Sequence, residues 1–323
     1  MVFDHVQKGV SVADKPAGNV PSPDQIVSAL SQTGFIFEHR VAQRLREHGL
    51  RASLNHAFMD SDTGKSREVD VIADVSDGIE GDGLLDSFIV QATLVVECKN
   101  YSDPLVVIGA GNEVFYHNDE PMISFDPVLH FEYPSFDRYS SVGIRHEMDL
   151  GDLSGLVDRG FIGSQLVRMD RNRGEWRAGN DSVHDSIIYP LVKARDYERI
   201  ELTRDPEDLP WELPEFSYTL SVLVTAGPVF TVDIVKDGDP VVARVSWSPI
   251  VRHFSDRSAM IYVVAFDGIA DFLEERVFPI TRETKNRLSQ NLHFFDPRWL
   301  AERYGQSSDP DFIKWLSQVS SIE

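Results

Sequence analysis

The run Ala92-Thr-Leu-Val-Val is apolar on both alternations, then breaks abruptly into Glu97-Cys-Lys99. A short stretch rich in Leu and Val buries both faces, which places it inside a sheet covered by helices. At its polar end residues i and i+2 share a face, so Glu97 and Lys99 point one way and Cys98 points back into the core. Upstream, Arg67-Glu-Val-Asp-Val-Ile-Ala-Asp sets Val69, Val71 and Ala73 against Glu68, Asp70 and Ile72. That is a strand with one apolar face and two carboxylates at the start of the other. Ser76 to Asp86 is a Gly/Asp stretch without the ordered ligand spacing of a calcium loop, and it reads as a solvated turn.

If the two strands pair antiparallel, Asp70 lies beside Glu97, and two such carboxylates repel unless a positive charge sits between them. A divalent cation with oxygen ligands meets that need, and magnesium commonly takes one or two carboxylates while keeping waters. An adjacent Lys99 ammonium can orient or help deprotonate an attacking water, which is the layout for metal-assisted phosphodiester hydrolysis. Taken alone, Asp70 and Glu97-x-Lys99 also fit an ordinary polar strand end. The strongly apolar strand before Lys99 and a carboxylate on the preceding helix, Glu38, argue against that plainer reading.

The rest of the chain supplies an α/β alternation. Residues 1–23 lack periodicity and read as a flexible N-terminal arm. A helical pattern then carries Ile26, Leu30, Phe37, Val41 and Leu45, with Gly34 able to split it and Gly49 to end it. Its second half presents Arg40, Arg44, Arg46, His48 and Arg51. Residues 101–160 are irregular and contain no lysine, and they read as an insertion with its own packing, within an inserted stretch of about 101–180. A short strand is expected at Ser164–Val167 and a helix at His184–Ile200. Strands at Tyr218–Thr225 and Val229–Val235 are expected to form a tight hairpin through Gly227-Pro228. Further strands are expected at Val241–Trp247 and Ala259–Phe266, and helices at Asp267–Arg276, Thr281–Asn291 and Pro310–Val319. The expected organisation is an arm over 1–23, a main domain over 24–280, and a C-terminal helical extension over 281–323.

Charge constrains partners. Fifty-two acidic residues against 31 basic ones leave −21, a field that repels nucleic acid at long range. Contact with a polyanion must then come from a local basic surface or a bound cation. Besides the helix, the stretch with Arg159, Arg168, Arg171, Arg173, Trp176 and Arg177 is net basic, although Asp158, Asp170 and Glu175 are equally placed to pair with it. The single cysteine, Cys98, excludes an internal disulfide and a cysteine-cluster zinc site. The best apolar stretch, Leu84 to Cys98, is interrupted by Asp86, Ser87 and Gln91, so no membrane span is expected. The start lacks the basic and apolar regions of a signal peptide, which makes a cytoplasmic location the expectation.

The succession Gly34-Phe-Ile-Phe-Glu38-His-Arg-Val-Ala, Arg67-Glu-Val-Asp70-Val-Ile-Ala and Val95-Val-Glu97-Cys-Lys99 resembles the PD-(D/E)XK, or restriction-endonuclease-like, nuclease superfamily. The resemblance covers residues 30–100 and extends loosely through 184–235. It departs from the family pattern at Val69, where the family name has Pro, and in the long insertion after Glu97-x-Lys99. It implies a mixed β-sheet core flanked by helices. It also implies metal ligation by Asp70 and Glu97 with support from Glu38, a catalytic role for Lys99, and Mg2+ (or Mn2+) as cofactor. The implied activity is endonuclease hydrolysis of nucleic acid, DNA first, in a restriction or anti-phage setting. A second copy of the chain or another defence component is the further partner that such a setting implies. Arg40, Arg44, Arg171 and Arg173 are the candidate substrate contacts. The alternative is a binding or regulatory protein that keeps the fold without catalysis, which the acidic field favours.

Other chemistries lack their residues. His146-Glu147 is not followed by the second His of a zinc-protease helix, and Gly109-Ala-Gly111 lacks the third Gly of a dinucleotide fingerprint. Ser154 stands one place off a nucleophile elbow. Gln165, beside Ser164, has no motif to give it a role.

Overall fold

The computed structural model describes residues 20–60, 62–79, 88–111, 116–117, 120–121, 128–130, 161–179, 183–202, 215–234, 238–254 and 258–292. The helix expected at Pro310–Val319, Arg159 and His146-Glu147 lie outside them.

Two helices open the fold, α1 (Pro23–Thr33) and α2 (Phe35–Glu47). Ser22 caps α1 with a reciprocal pair, its Oγ accepting from the Gln25 N–H while its own N–H donates to Gln25 Oε1. Gly34 ends α1 and begins α2 at φ +91°, a left-handed conformation that glycine adopts at little cost. Helix α2 buries Phe37, Val41, Ala42 and Leu45, the second half of the apolar stripe read from the sequence, whereas Ile26 and Leu30 of α1 are exposed. Three strands follow as an antiparallel meander: β1 (Arg51–Met59), β2 (Ser66–Ile79) and β3 (Phe88–Lys99).

After β3 come β4 (Leu105–Ala110), the short β5 (Tyr116–His117), β6 (Glu120–Pro121) and β7 (Val128–His130), and then β8 (Ile162–Asn172) and β9 (Glu175–Gly179). A π turn at His184–Ile188 leads into α3 (Tyr189–Leu202). Strands β10 (Glu215–Thr225), β11 (Val229–Asp233), β12 (Val241–Val245), β13 (Trp247–His253) and β14 (Ser258–Ala265) complete the sheet. Helices α4 (Ile269–Phe272) and α5 (Phe278–Gln290) close the described chain, joined by a π turn.

One mixed sheet runs β1-β2-β3-β10-β14-β13-β8-β4-β11-β12, with β7 beside β10 and β9 beside β8. The protein is therefore α/β with a large sheet of parallel and antiparallel strands. At its centre β3 is parallel to β10, and β10 to β14. These strands are buried on both faces, as their continuous apolar runs require. Against one face pack α2, α4 and α5, through Phe37, Val41, Leu45, Phe272, Ile280 and Leu288. Against the other packs the α3 segment through Ile187, Ile188, Leu191 and Val192. Helix α5 crosses position 281 and shares the first core, where Thr284 and Tyr218 hydroxyls meet at 2.7 Å. No described helix is long and apolar enough to cross a membrane.

Two expectations are corrected. Strands β10 and β11 do not form a hairpin: both edges of β10 are occupied by β3 and β14, so the chain crosses over and β11 joins β4 in parallel and β12 in antiparallel. Gly227 serves that crossover, since a Cβ there would lie 2.5 Å from the Asp103 carbonyl oxygen. The 101–180 stretch is also not wholly separate. Strands β4 and β8 belong to the main sheet, and Gly109 lets them approach where a Cβ would stand 2.1 Å from the Ile162 carbonyl oxygen.

Candidate active site

The β2–β3 register runs to Val71↔Val96, so the next positions outward are Asp70 and Glu97. There the Asp70 Oδ2 accepts the backbone N–H of Cys98 at 2.6 Å. Glu97 and Lys99, two residues apart on one face, meet through Oε1 and Nζ at 2.5 Å. Their side chains are 14% and 21% exposed, sheltered but open to solvent at the mouth of the sheet. Cys98 points the opposite way and is buried in the first core with α2.

The surroundings fix the end of β3 on both flanks. The Lys99 carbonyl accepts from the Ala226 N–H at 3.1 Å, which ties it to the end of β10. Asn100 Nδ2 donates to the Ser31 carbonyl at 2.8 Å, which ties it to α1. Glu38, in the first turn of α2, has its Oε1 at 3.4 Å from where a Gly34 Cβ would stand. Gly34 thus gives the chain its turn and leaves room for this carboxylate.

Electrostatics mark the cluster as short of positive charge. Burial, then the nearby Asp70 charge, pushes the Glu97 carboxyl up to about 7, and Lys99 pulls against this without cancelling it. Burial also raises Asp70, opposed by the Cys98 N–H and Lys99. Glu38 is raised by burial and by Asp70. For Lys99, burial works against the charged form, but Glu97 and Asp70 outweigh it and hold the ammonium above its ordinary value. The Cys98 thiol is pushed well up by burial and by the three carboxylates. Three acids and one ammonium thus share one field.

Among the described residues no three His, Cys, Asp or Glu side chains converge as a complete ligand set. The donors at hand are hard carboxylate oxygens, Asp70 and Glu97 nearest and Glu38 within electrostatic reach. That chemistry suits magnesium or manganese, which take few carboxylates and complete their shell with water.

The other candidates lie on α2 and on the β8–β9 hairpin. On α2, Arg40 and Arg44 are exposed, Arg44 lying 3.6 Å from Glu47 and over the Phe266 ring. Arg46 instead donates to the Ala52 carbonyl, and Arg51 holds Asp74, so both brace β1. Arg171 and Arg173 lie on the β8–β9 hairpin. Gln165 is an exposed residue of β8.

Two features stand outside the sequence expectations. Tyr101 follows the Glu97-x-Lys99 strand and lies under the Arg168 guanidinium, 4.9 Å from its ring centroid. At the β1–β2 turn, buried Asp60 receives Lys193 at 2.8 Å and Arg67 at 2.6 Å, while Lys193 also reaches Asp62 at 2.7 Å and the Tyr189 hydroxyl donates to Asp62. The cue was the Asp60-Ser-Asp-Thr-Gly turn, but its partner lysine is remote in sequence.

No protein-family description, no curated protein and no solved structure matches this chain.

Proposed function

We propose that the chain is a metal-dependent nuclease that hydrolyses phosphodiester bonds of DNA on a restriction-endonuclease-like core. The observation that carries this reading is the pairing of Asp70 with Glu97-x-Lys99 across β2 and β3, two under-neutralised carboxylates beside one ammonium. The chain order supports it: α2, the β1–β2–β3 meander, then α3 and β10 alongside β3, although the hairpin expected after that helix is replaced by a crossover.

Asp70 and Glu97 would hold a magnesium or manganese ion, with Glu38 assisting directly or through water. When bound, such an ion supplies Lewis-acid stabilisation of charge on the scissile phosphate. The chain's own groups do the rest. The Cys98 N–H fixes the Asp70 carboxylate, so its oxygens are placed before substrate arrives. Lys99 remains an ammonium at neutral pH, which suits it to donate to the attacking water and to the phosphate oxygens rather than to remove a proton. Hydrogen bonds on both flanks hold in place the end of β3 that carries Glu97 and Lys99.

The test is cleavage of plasmid and single-stranded DNA across a titration of Mg2+ and Mn2+. Metal-dependent cleavage is expected. Absence of cleavage on every nucleic acid tried leaves the acidic, non-catalytic binding protein as the better reading.

A further inference from the structure

The β8–β9 hairpin extends away from the packed body. Every residue from Arg171 to Ala178 is exposed, and among the described residues β9 pairs with β8 alone. Its turn is Arg173-Gly174, with φ +50° and +89°, the two left-handed positions of a tight two-residue hairpin. Among the described residues this part of the ribbon is held by its ladder, and its side chains are open to solvent.

Those side chains run against the chain's net charge. In a −21 chain the ribbon carries Arg168, Arg171, Arg173 and Arg177 against Asp170 and Glu175. Arg168 is engaged by Asp170 and Tyr101. Arg171 and Trp176 sit directly opposite each other, the guanidinium 5.9 Å from the indole centroid. Trp176 is 53% exposed. A half-exposed indole backed by a guanidinium is a stacking platform with a phosphate contact beside it.

Position links the ribbon to the candidate active site. Arg168 covers Tyr101, two residues after Lys99, and β8 runs outward from there. Arg171 lies three residues on, about 10 Å at the usual strand rise. Resting on the nuclease reading for its substrate, we propose that this ribbon holds unpaired DNA leaving the candidate active site, with Trp176 stacking one base and Arg171 and Arg173 binding phosphates. A paired base is already stacked within its duplex, so an exposed indole favours a single strand.

Anisotropy of a labelled single-stranded oligodeoxynucleotide, titrated with the full chain in EDTA, measures binding without cleavage. Trp176→Ala is expected to weaken binding roughly ten- to a hundredfold, and Trp176→Phe, which keeps an aromatic face, to recover most of it. Arg171→Ala and Arg173→Ala each flatten the salt dependence of affinity. Blunt duplex DNA of equal length binds more weakly and is indifferent to Trp176. Unchanged affinity in Trp176→Ala overturns the proposal, as does a Phe variant as defective as Ala, or tighter binding of duplex or RNA. Cleavage is scored separately with Mg2+. Metal-dependent cleavage with no Trp176 effect on binding removes the ribbon's role and leaves the nuclease, whereas a Trp176 effect without cleavage in any metal does the reverse.

Discussion

The Asp70 carboxylate accepts the main-chain N–H of Cys98 at 2.6 Å, so the acid of one strand is held by the residue between Glu97 and Lys99 on the next. Asp70→Asn keeps an oxygen to accept that N–H but removes the charge. The variant is expected to fold normally and to bind divalent cations more weakly. The Glu97 carboxyl should move down, because the Asp70 charge is the second cause of its elevation after burial. Calorimetry with Mn2+ checks the affinity, and equal binding by both proteins would remove this site.

Alanine at Asp70, Glu97 or Lys99 is expected to slow cleavage a hundredfold or more, on the order of 3 kcal/mol in transition-state stabilisation. The first two variants should lose metal binding as well. Lys99→Ala should retain it, because the proposed role of the lysine is to donate to substrate and water rather than to ligate. Single-turnover cleavage and Mn2+ calorimetry together separate these roles.

Stability without metal should depend on pH in a defined direction. The Glu97 carboxyl titrates at about 7 in the folded chain against an ordinary 4.5, so the folded state binds more protons between those values. Stability therefore falls as pH rises from about 4.5 to 7, by on the order of 3 kcal/mol, then levels off. Added Mg2+ should restore more stability at pH 8 than at pH 5.5, since the ion competes with the proton. Chemical denaturation at several pH values, with and without Mg2+, reads both trends. A metal-free stability that rises across that window contradicts the first.

The Asp60–Lys193 pair makes a separate prediction. Lys193→Met leaves the buried Asp60 carboxylate with Arg67 as its ion-pair partner, and should lower the thermal midpoint more than loss of the surface pair Arg44–Glu47. Lys193 first among its causes, then burial working against it, holds the Asp60 carboxyl well below its ordinary 3.8. Its stabilisation is accordingly present above that value and lost as the solution is made more acid. Thermal melts of both variants at pH 7 and pH 3.5 test it.

Cys98 should resist thiol reagents in the native state, being buried with a thiol pushed well up. Labelling that follows global unfolding by denaturant, not before it, is the expected result.

The parts of the fold legible in the sequence are those set by local alternation. Val71 and Ala73 announce one face of β2, although Val69 packs in the other core, and Leu94 to Lys99 announce a buried strand with a polar end. Gly34 announces the break between two helices. Pairing over long separations left no such mark. Leu105-Val-Val-Ile is as apolar as β3, but Gly109 after it looks like a loop signal until β8 is seen to press against it. Gly227-Pro228 signals a turn without saying that β10 is already flanked by β3 and β14. Lys193 reads as the polar side of a helix, because the carboxylate that buries it belongs to a distant turn. The proposed site was readable because its acids and lysine sit on adjoining strands of one meander.

The parallel pairing of β3 with β10 carries a consequence for the order of assembly. Meander contacts between Val71 and Val96 close a short loop, whereas Leu223 reaches Glu97 only after a long intervening stretch of chain has been placed. Short loops close faster than long ones. Asp70 and Glu97 are therefore expected to meet early, while still hydrated, and to lose water as the rest of the sheet docks. Their mutual repulsion is imposed at the last stage of folding, so the final docking step of the metal-free chain should be slower at pH 8 than at pH 5.5. A divalent cation present during refolding should accelerate that step.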